Sequence, residues 1–250
     1  MLTHEPAKYL FEIGNFKAAS YGFMLFLSFA LGYLLTLWEG HRKNINLNHI
    51  SGAVLMAMLG AAVGARVGYL LEHLDELAMR PALFLEFQQG GLSSIGGIVG
   101  ATFFIVAYLG FQKLPISNYL DTMVPGLCLG VVLTRIGCFM NGCCYGIASS
   151  LPWAVDAGDF PRHPTQLYHS LSGVILFVII WKLRKKQSLT GLLFPVFLLI
   201  YAPLRFAIEY LRDSQRYFFD LTAAQLYIVP LYLAATLFIY FRIQKERRKT

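Results

Sequence analysis

Long apolar runs separated by short polar stretches make up most of the chain. A helix that crosses a bilayer core needs about 20 predominantly apolar residues. Seven runs approach or reach that length, at residues 19–37, 52–71, 92–111, 119–139, 167–181, 192–211 and 221–241. The pattern predicts an all-α integral membrane protein with seven transmembrane helices, which together form a single membrane domain over residues 1–250.

The composition supports this interpretation. Hydrophobic residues account for 56% of the chain and charged residues for only 14%, whereas a soluble domain carries about 25% charged residues. The formal net charge is +7. Because the basic residues lie in short loops between apolar runs, the charge indicates membrane orientation and not nucleic-acid binding.

Lysines and arginines are distributed unequally between the two sets of loops. The richer set, which includes the C-terminal tail, contains Arg42, Lys43, Lys113, Lys182, Arg184, Lys185, Lys186, Arg242, Lys245, Arg247, Arg248 and Lys249. The poorer set contains Lys8, Lys17, Arg80, Arg162, Arg212 and Arg216. Since the richer side is normally cytoplasmic, the N-terminus is predicted to lie outside and the C-terminus inside.

Three arginines remain within the apolar runs: Arg66, Arg135 and Arg205. A charge at that depth costs about 2.5 kcal/mol or more, so each needs a partner. Glu209 follows Arg205 by four residues on the same helical face, which predicts an ion pair. Asp121 begins the fourth run, close to the predicted cytoplasmic boundary. The excess of positive charge therefore indicates an anionic ligand, and phospholipid headgroups are the abundant anions of a bilayer.

Small residues accumulate in the second and third runs. Gly60, Gly64 and Gly68 recur every four residues, which predicts close helix packing. The third run opens with Gly90, Gly91, Ser93, Ser94, Gly96, Gly97 and Gly100. These residues favour either packing or the approach of an anion to backbone N–H groups at a helix N-terminus, and both interpretations stay open.

Six short motifs, each weak alone, follow one another along the chain. They are Tyr21-Gly22, Gly64-Ala65-Arg66-Val67-Gly68-Tyr69, the stretch from Gly90 to Gly97, Thr134-Arg135-Ile136-Gly137 with Asn141-Gly142 and Gly146, His163-Pro164-Thr165-Gln166-Leu167-Tyr168, and Tyr201 with Arg205-Phe206-Ala207-Ile208-Glu209. Their identity and order resemble the signature of the prolipoprotein diacylglyceryl transferases. The resemblance extends from Tyr21 to the last apolar run.

The resemblance implies a reaction and its substrates. The family transfers the diacylglyceryl group of phosphatidylglycerol to the thiol of a lipobox cysteine in a preprolipoprotein, so that a thioether forms and glycerol phosphate leaves. Fixed cations would stabilise the leaving phosphate, and the attacking thiol must lose its proton. The expected partners are phosphatidylglycerol, the lipobox signal peptide and the bacterial inner membrane. No nucleic acid, cofactor or metal is expected.

The resemblance also assigns site residues. Arg135, Arg205, Glu209 and His163 are the expected catalytic residues. The expected substrate-binding residues are Tyr21, Arg66, Gly96, Gly97, Asn141, Gly146 and Tyr201. His163 is also a candidate from its position alone, because it ends a polar connection on the same predicted side as Cys143 and Cys144.

Several positions depart from the family pattern. Ile95 stands where the family has a histidine proposed as the base, Cys138 where it has Asn, Cys143 where it has Glu, and His169 where Glu is usual. Isoleucine cannot accept a proton. The proton acceptor could instead be His163, His169, Glu209 or water. Three functions stay open: the usual transfer, transfer to a different acceptor from the same lipid pocket, and phospholipid binding without catalysis.

Three of the four cysteines, Cys138, Cys143 and Cys144, lie within seven positions. They could simply pack, form a disulfide between Cys138 and one of the adjacent pair, act in redox chemistry or bind zinc. Their spacing does not match a standard zinc motif. In the family the lipid acceptor is a cysteine of the substrate, so none of these thiols is expected to be that acceptor.

Overall fold

The computed structural model describes residues 2–3, 6–13, 16–80, 91–156, 158 and 160–248. Gly90 and Lys249 lie outside the described residues. Within them the chain forms eight α-helices: α1 (Ser20–Arg42), α2 (Leu47–Glu72), α3 (Leu74–Met79), α4 (Ser94–Phe111), α5 (Ile116–Met140), α6 (Thr165–Leu183), α7 (Leu193–Glu209) and α8 (Ala223–Arg247). Every predicted apolar run coincides with one of the seven long helices.

Six of the described helices are long and apolar enough to cross a membrane: α1, α2, α4, α5, α6 and most of α8. The chain is therefore a multi-pass, all-α membrane protein. Helix α7 is not in this set, because it ends at Glu209 after 17 residues, two residues before the end of the predicted apolar run. A crossing by α7, and with it the count of seven spans, stays a prediction.

The described residues also form five short strands: β1 (Leu2–Thr3), β2 (Tyr9–Ile13), β3 (Phe16–Ala19), β4 (Val155–Asp156) and β5 (Pro161–Arg162). Strands β2 and β3 form an antiparallel hairpin immediately before α1, and β1 pairs with β4 in parallel beside β5. Hydropathy did not indicate them, since two to five residues are too few to establish a period-2 pattern.

The chain divides into two compact units. The first comprises residues 1–38 and 120–250, and the second comprises residues 39–119.

Glycines pack α2 against α4 in the second unit. A Cβ atom added at Gly96 would lie 2.2 Å from the carbonyl oxygen of Gly64, and one added at Gly100 would lie 2.1 Å from that of Gly60. Distances this short leave no room for a side chain at either position. The structure thus confirms close packing for the glycines of α2, and it gives Gly96 and Gly100 the same role.

The first unit has its core where α5, α6 and α7 meet. Val124, Cys128, Leu176, Ile180, Leu193 and Phe197 form a buried cluster there. Beside it, the carboxylate of Asp121 accepts hydrogen bonds from the backbone N–H of Gly191 at 2.6 Å and of Phe194 at 2.8 Å. Asp121 therefore satisfies backbone donors at the start of α7 and fixes the helix that carries Arg205 and Glu209.

Helix α1 packs on α5 just before Arg135. The Ser28 hydroxyl donates to the carbonyl oxygen of Gly130 at 3.2 Å and accepts from the Thr134 hydroxyl at 3.2 Å. These contacts fix the turn of α5 from which the Arg135 side chain extends.

Candidate functional site

The predicted pair of Arg205 and Glu209 is confirmed. The Nη1 atom of Arg205 donates a hydrogen bond to Oε2 of Glu209, and the two residues are only 4% and 1% exposed. The other carboxylate oxygen of Glu209 lies 3.6 Å from Nη1 of Arg212. Arg212 was assigned to a loop from the sequence, although its place three residues after Glu209 permits this contact.

His169 on α6 contacts the same guanidinium. Its Nε2 atom lies 3.2 Å from Nη1 of Arg205, and the residue is 2% exposed. A guanidinium can only donate, so Nε2 must be the unprotonated acceptor of a neutral imidazole. That contact engages the lone pair of Nε2. In this arrangement His169 orients Arg205 and does not present Nε2 to a substrate thiol.

Arg135 lies half-buried in the last two turns of α5. Within the described parts of the chain its guanidinium forms neither an ion pair nor a hydrogen bond. Three arginines act electrostatically on His169: Arg135, Arg205 and Arg212. The carboxylate of Glu209 contacts Arg205 and Arg212. This part of the described structure therefore concentrates positive charge and has a cation available for an anionic ligand.

Arg135 acts electrostatically on two of the expected tyrosines. Tyr201, on α7, stacks on Phe197 with ring centroids 5.4 Å apart and experiences the charges of Arg205 and Arg135. Tyr21, on α1, experiences the charge of Arg135 and lies against the backbone of α5 at Gly137. Both aromatic side chains therefore lie within electrostatic range of the same cation.

Gly146 joins three segments after α5. Its N–H donates to the carbonyl oxygen of His163 at 2.8 Å, and it pairs as a β-bridge with Arg212. A Cβ atom at this position would lie 2.2 Å from the carbonyl oxygen of Leu211. Glycine is required here because the chain after α7 passes directly over it.

Side chains from the start of α6 hold the loop between Asn141 and Gly146. The Thr165 hydroxyl donates to the carbonyl oxygen of Cys144 at 2.8 Å, and the Gln166 amide donates to that of Cys143. Both residues are buried. Their motif was recognised from the sequence, but their individual roles were not, since a contact with the loop depends on how α6 packs.

The three clustered cysteines have free thiols. Their sulfur atoms all lie within 4.8 Å of one another, and Asn141 hydrogen-bonds to Cys143. A hydrogen bond from the Cys138 thiol, followed by the charges of Arg212 and Arg135, lowers the pKa of Cys144. Burial, followed by the charge on Cys144, raises the pKa of Cys143. Cys144 is therefore the more acidic of the adjacent pair.

His163 lies at the end of the loop before α6 with its ring against Tyr168. Its Nδ1 atom is 3.2 Å from the Tyr168 hydroxyl, which accepts a hydrogen bond from the indole N–H of Trp153 at 2.9 Å. The described contacts of the His163 ring are thus with Tyr168. The described side-chain contacts of Arg205 are with Glu209 and His169.

The remaining expected residues belong to the second unit. Nη1 of Arg66 donates to the carbonyl oxygen of Gly91 at 3.0 Å, and its guanidinium lies 5.4 Å from the ring centroid of Tyr69. Gly96 packs against the backbone of α2 at Gly64. A Cβ atom added at Gly97 would make only ordinary van der Waals contacts, at 3.5 Å. Ile95 lines an open, mostly apolar groove of about 510 Å³ between α2 and α4.

The chain is similar to known proteins over most of its length. Residues 8–241 match the prolipoprotein diacylglyceryl transferase family. A phosphatidylglycerol–prolipoprotein diacylglyceryl transferase of Nitratidesulfovibrio vulgaris is 32% identical over 237 residues, which cover 88% of each chain. A protein of the same name from Legionella pneumophila is 33% identical over 89% of this chain and 92% of the relative.

A third relative of that name, from Aeromonas salmonicida, is 31% identical over 92% of this chain and 88% of its own length. The similarity is therefore not confined to the motifs. It includes helices α1 to α7 completely and most of α8. The chain belongs to the prolipoprotein diacylglyceryl transferase family.

Proposed function

We propose that this chain transfers the diacylglyceryl group of phosphatidylglycerol to the lipobox cysteine thiol of a preprolipoprotein. The observation that carries the proposal is Arg135, a half-buried cation that has no ion pair among the described residues. It lies on a membrane-spanning helix and shares its surroundings with Arg205 and Arg212. An anionic phospholipid headgroup satisfies such a cation, and arginine suits phosphate through paired N–H donors.

The reaction places developing charge where these cations lie. The substrate sulfur attacks the glyceryl carbon that bears the phosphate, and the carbon–oxygen bond breaks. The electron pair stays on the phosphate oxygen and glycerol phosphate leaves. Arg135 and Arg205 stabilise this leaving group as catalytic residues, because fixed donors aimed at developing charge lower the barrier.

Glu209 and His169 orient Arg205 for that role. Both contacts engage Nη1 of the guanidinium, so the remaining N–H groups can donate to phosphate oxygens. Tyr21, Tyr201 and Asn141 contact the substrates.

Gly146 has a structural role in the proposed site. Gly146 closes the loop that carries Asn141. Arg66, Gly96 and Gly97 are further proposed substrate-binding residues, as the family resemblance implies.

The substrate thiol must transfer its proton to a base or to water. Ile95 cannot accept it. His163 is the candidate base of this proposal. In this role its Nδ1–H donates to the Tyr168 hydroxyl oxygen, which leaves Nε2 as the unprotonated nitrogen that accepts the proton.

The proposed membrane arrangement has seven spans in the bacterial inner membrane, with the N-terminus outside and the C-terminus in the cytoplasm. It follows from the apolar runs and from the excess of Lys and Arg on one set of loops.

A transfer assay with purified protein tests the proposed function. The protein in detergent receives phosphatidylglycerol labelled in its acyl chains and a lipobox peptide, and the peptide mass is then measured. We expect the peptide to gain one diacylglyceryl group. The matched control is a peptide with serine in place of its cysteine, which should gain none. An unmodified cysteine peptide, together with retained binding of phosphatidylglycerol, would contradict the transfer. It would favour either another acceptor or phospholipid binding without catalysis.

A further inference from the structure

The thiols of Cys138, Cys143 and Cys144 converge although the proposed transfer requires none of them. All three sulfur atoms lie within 4.8 Å of one another, and those of Cys143 and Cys144 are 3.6 Å apart. Two sulfurs bound to one cation at about 2.3 Å would lie roughly 3.8–4.0 Å apart. A disulfide requires about 2.05 Å. The spacing of Cys143 and Cys144 is therefore much closer to that of two sulfurs on one ion than to that of a bonded pair.

The backbone holds this arrangement. The N–H of Cys143 donates to the carbonyl oxygen of Cys138 at 3.1 Å, which turns the loop back over the end of α5. Cys144 has a φ of +67°, a left-handed conformation that is uncommon for a residue with a side chain. Thr165 and Gln166 hold the carbonyl groups of Cys144 and Cys143. The thiols thus lie on a loop fixed from two sides.

The surrounding charge suits an anionic complex. Arg212 and Arg135 both act electrostatically on Cys144, and Arg135 also acts on Cys138. Three thiolates around Zn²⁺ carry a net charge of −1, and around Cu⁺ a net charge of −2. Arg135 has no ion pair among the described residues, whereas Arg212 also contacts the carboxylate of Glu209. The two guanidiniums therefore offset part of either charge.

We propose that Cys138, Cys143 and Cys144 form a tris-thiolate site for one thiophilic cation, Zn²⁺ or Cu⁺. Thiolate sulfur is the ligand type that both ions accept readily. Binding forms three metal–sulfur bonds and releases the protons that the three sulfurs still carry, without oxidation or reduction. A four-coordinate Zn²⁺ would take its fourth ligand from solvent or from another molecule. This proposal does not depend on the transfer reaction.

Titration with Co²⁺, a spectroscopic substitute for Zn²⁺, tests the site. The whole protein in detergent is fully reduced, freed of reductant under argon and titrated. We expect sulfur-to-cobalt charge-transfer absorption that saturates at one equivalent and disappears when Zn²⁺ is added. A parallel competition with a Cu⁺-specific chromophoric chelator measures Cu⁺ binding and distinguishes the two ions.

Variants identify the ligands. Cys143→Ser and Cys144→Ser should each weaken cation binding by about tenfold or more. The matched control is Cys128→Ala, because Cys128 is buried in the separate core cluster of α5, α6 and α7. It should bind like the wild type. If a serine variant does not purify as a monodisperse protein, alkylation of the accessible thiols in the wild type should remove the absorption instead.

Two results would overturn the proposal. One is fully reduced wild-type protein that binds neither Co²⁺ nor Cu⁺. The other is binding that survives both serine variants and the alkylation.

Discussion

At the scale of single residues, the site depends on how each arginine is paired. Arg205 is held by Glu209 and His169, whereas Arg135 has no ion pair in the described part of the chain. A held guanidinium is preorganised, and an unpaired one gains most from an incoming anion. The two residues therefore have different roles, since Arg205 supplies fixed geometry and Arg135 supplies uncompensated charge.

Two substitutions of His169 separate an orienting role from a proton-accepting role. His169→Gln keeps an acceptor for Arg205, whereas His169→Leu removes it. We expect the leucine variant to lower kcat about tenfold or more, which is roughly 1.4 kcal/mol, and the glutamine variant to retain most activity. Steady-state transfer assays measure both. Equal, severe losses in the two variants would indicate that His169 is the base.

Sequence and structure agree on some parts of the site for physical reasons. The pair of Arg205 and Glu209 was predictable because four residues form one helical turn. The contact between Arg205 and His169 was not, since 36 residues separate them and only the packing of α6 on α7 brings them together. The cysteines were conspicuous in sequence, but their convergence depends on the loop conformation at Cys144.

At the scale of helices, backbone contacts between α2 and α4 leave no space at Gly96. We expect Gly96→Ala to destabilise the protein by about 1–3 kcal/mol, because the new methyl group would overlap the carbonyl oxygen of Gly64. Gly97→Ala is the matched control, since its methyl group would make ordinary contacts. Thermal unfolding followed by circular dichroism compares the two. Equal midpoints would contradict the packing described for α2 and α4.

Helix α7 depends on a carboxylate from α5. Asp121 accepts two backbone hydrogen bonds at the start of α7. Asp121→Ala would leave both donors without this acceptor and should lower the free energy of unfolding by about 1–2 kcal/mol. Asp213→Ala removes a carboxylate from an exposed ion pair with Arg162 and should lower the free energy of unfolding by less. Chemical denaturation in detergent measures both, and a larger effect at Asp213 would contradict the capping role of Asp121.

Hydropathy predicts the helices better than their ends. Each apolar run was found as a helix, because the need to satisfy backbone groups in lipid leaves few alternatives. The predicted positions of the helix ends were less accurate. Helix α7 stops at Glu209, where the carboxylate meets Arg205 and Arg212, and the last apolar residues of the run, Tyr210 and Leu211, lie beyond it. The short strands left no periodic signal.

At the scale of the whole molecule, the number of spans decides where the termini lie. Six spans place both termini on one side of the membrane, whereas seven, with α7 crossing, place them on opposite sides. We expect a C-terminal green fluorescent protein to fluoresce and a C-terminal alkaline phosphatase to be inactive, as in the cytoplasm. Protease added outside spheroplasts should remove an N-terminal tag. A protected N-terminal tag together with a fluorescent C-terminus would indicate six spans.

In the proposed reaction the charge of Arg135 drives diacylglyceryl transfer, and kinetics of Arg135→Gln test this role most directly. Arg42→Gln is the matched control, because Arg42 lies at the end of α1 in an ion pair with Glu39. We expect Arg135→Gln to lower kcat/KM about a hundredfold or more, with the thermal unfolding midpoint unchanged, and Arg42→Gln to retain activity. Transfer by folded Arg135→Gln protein at the wild-type rate would contradict the proposed role of Arg135.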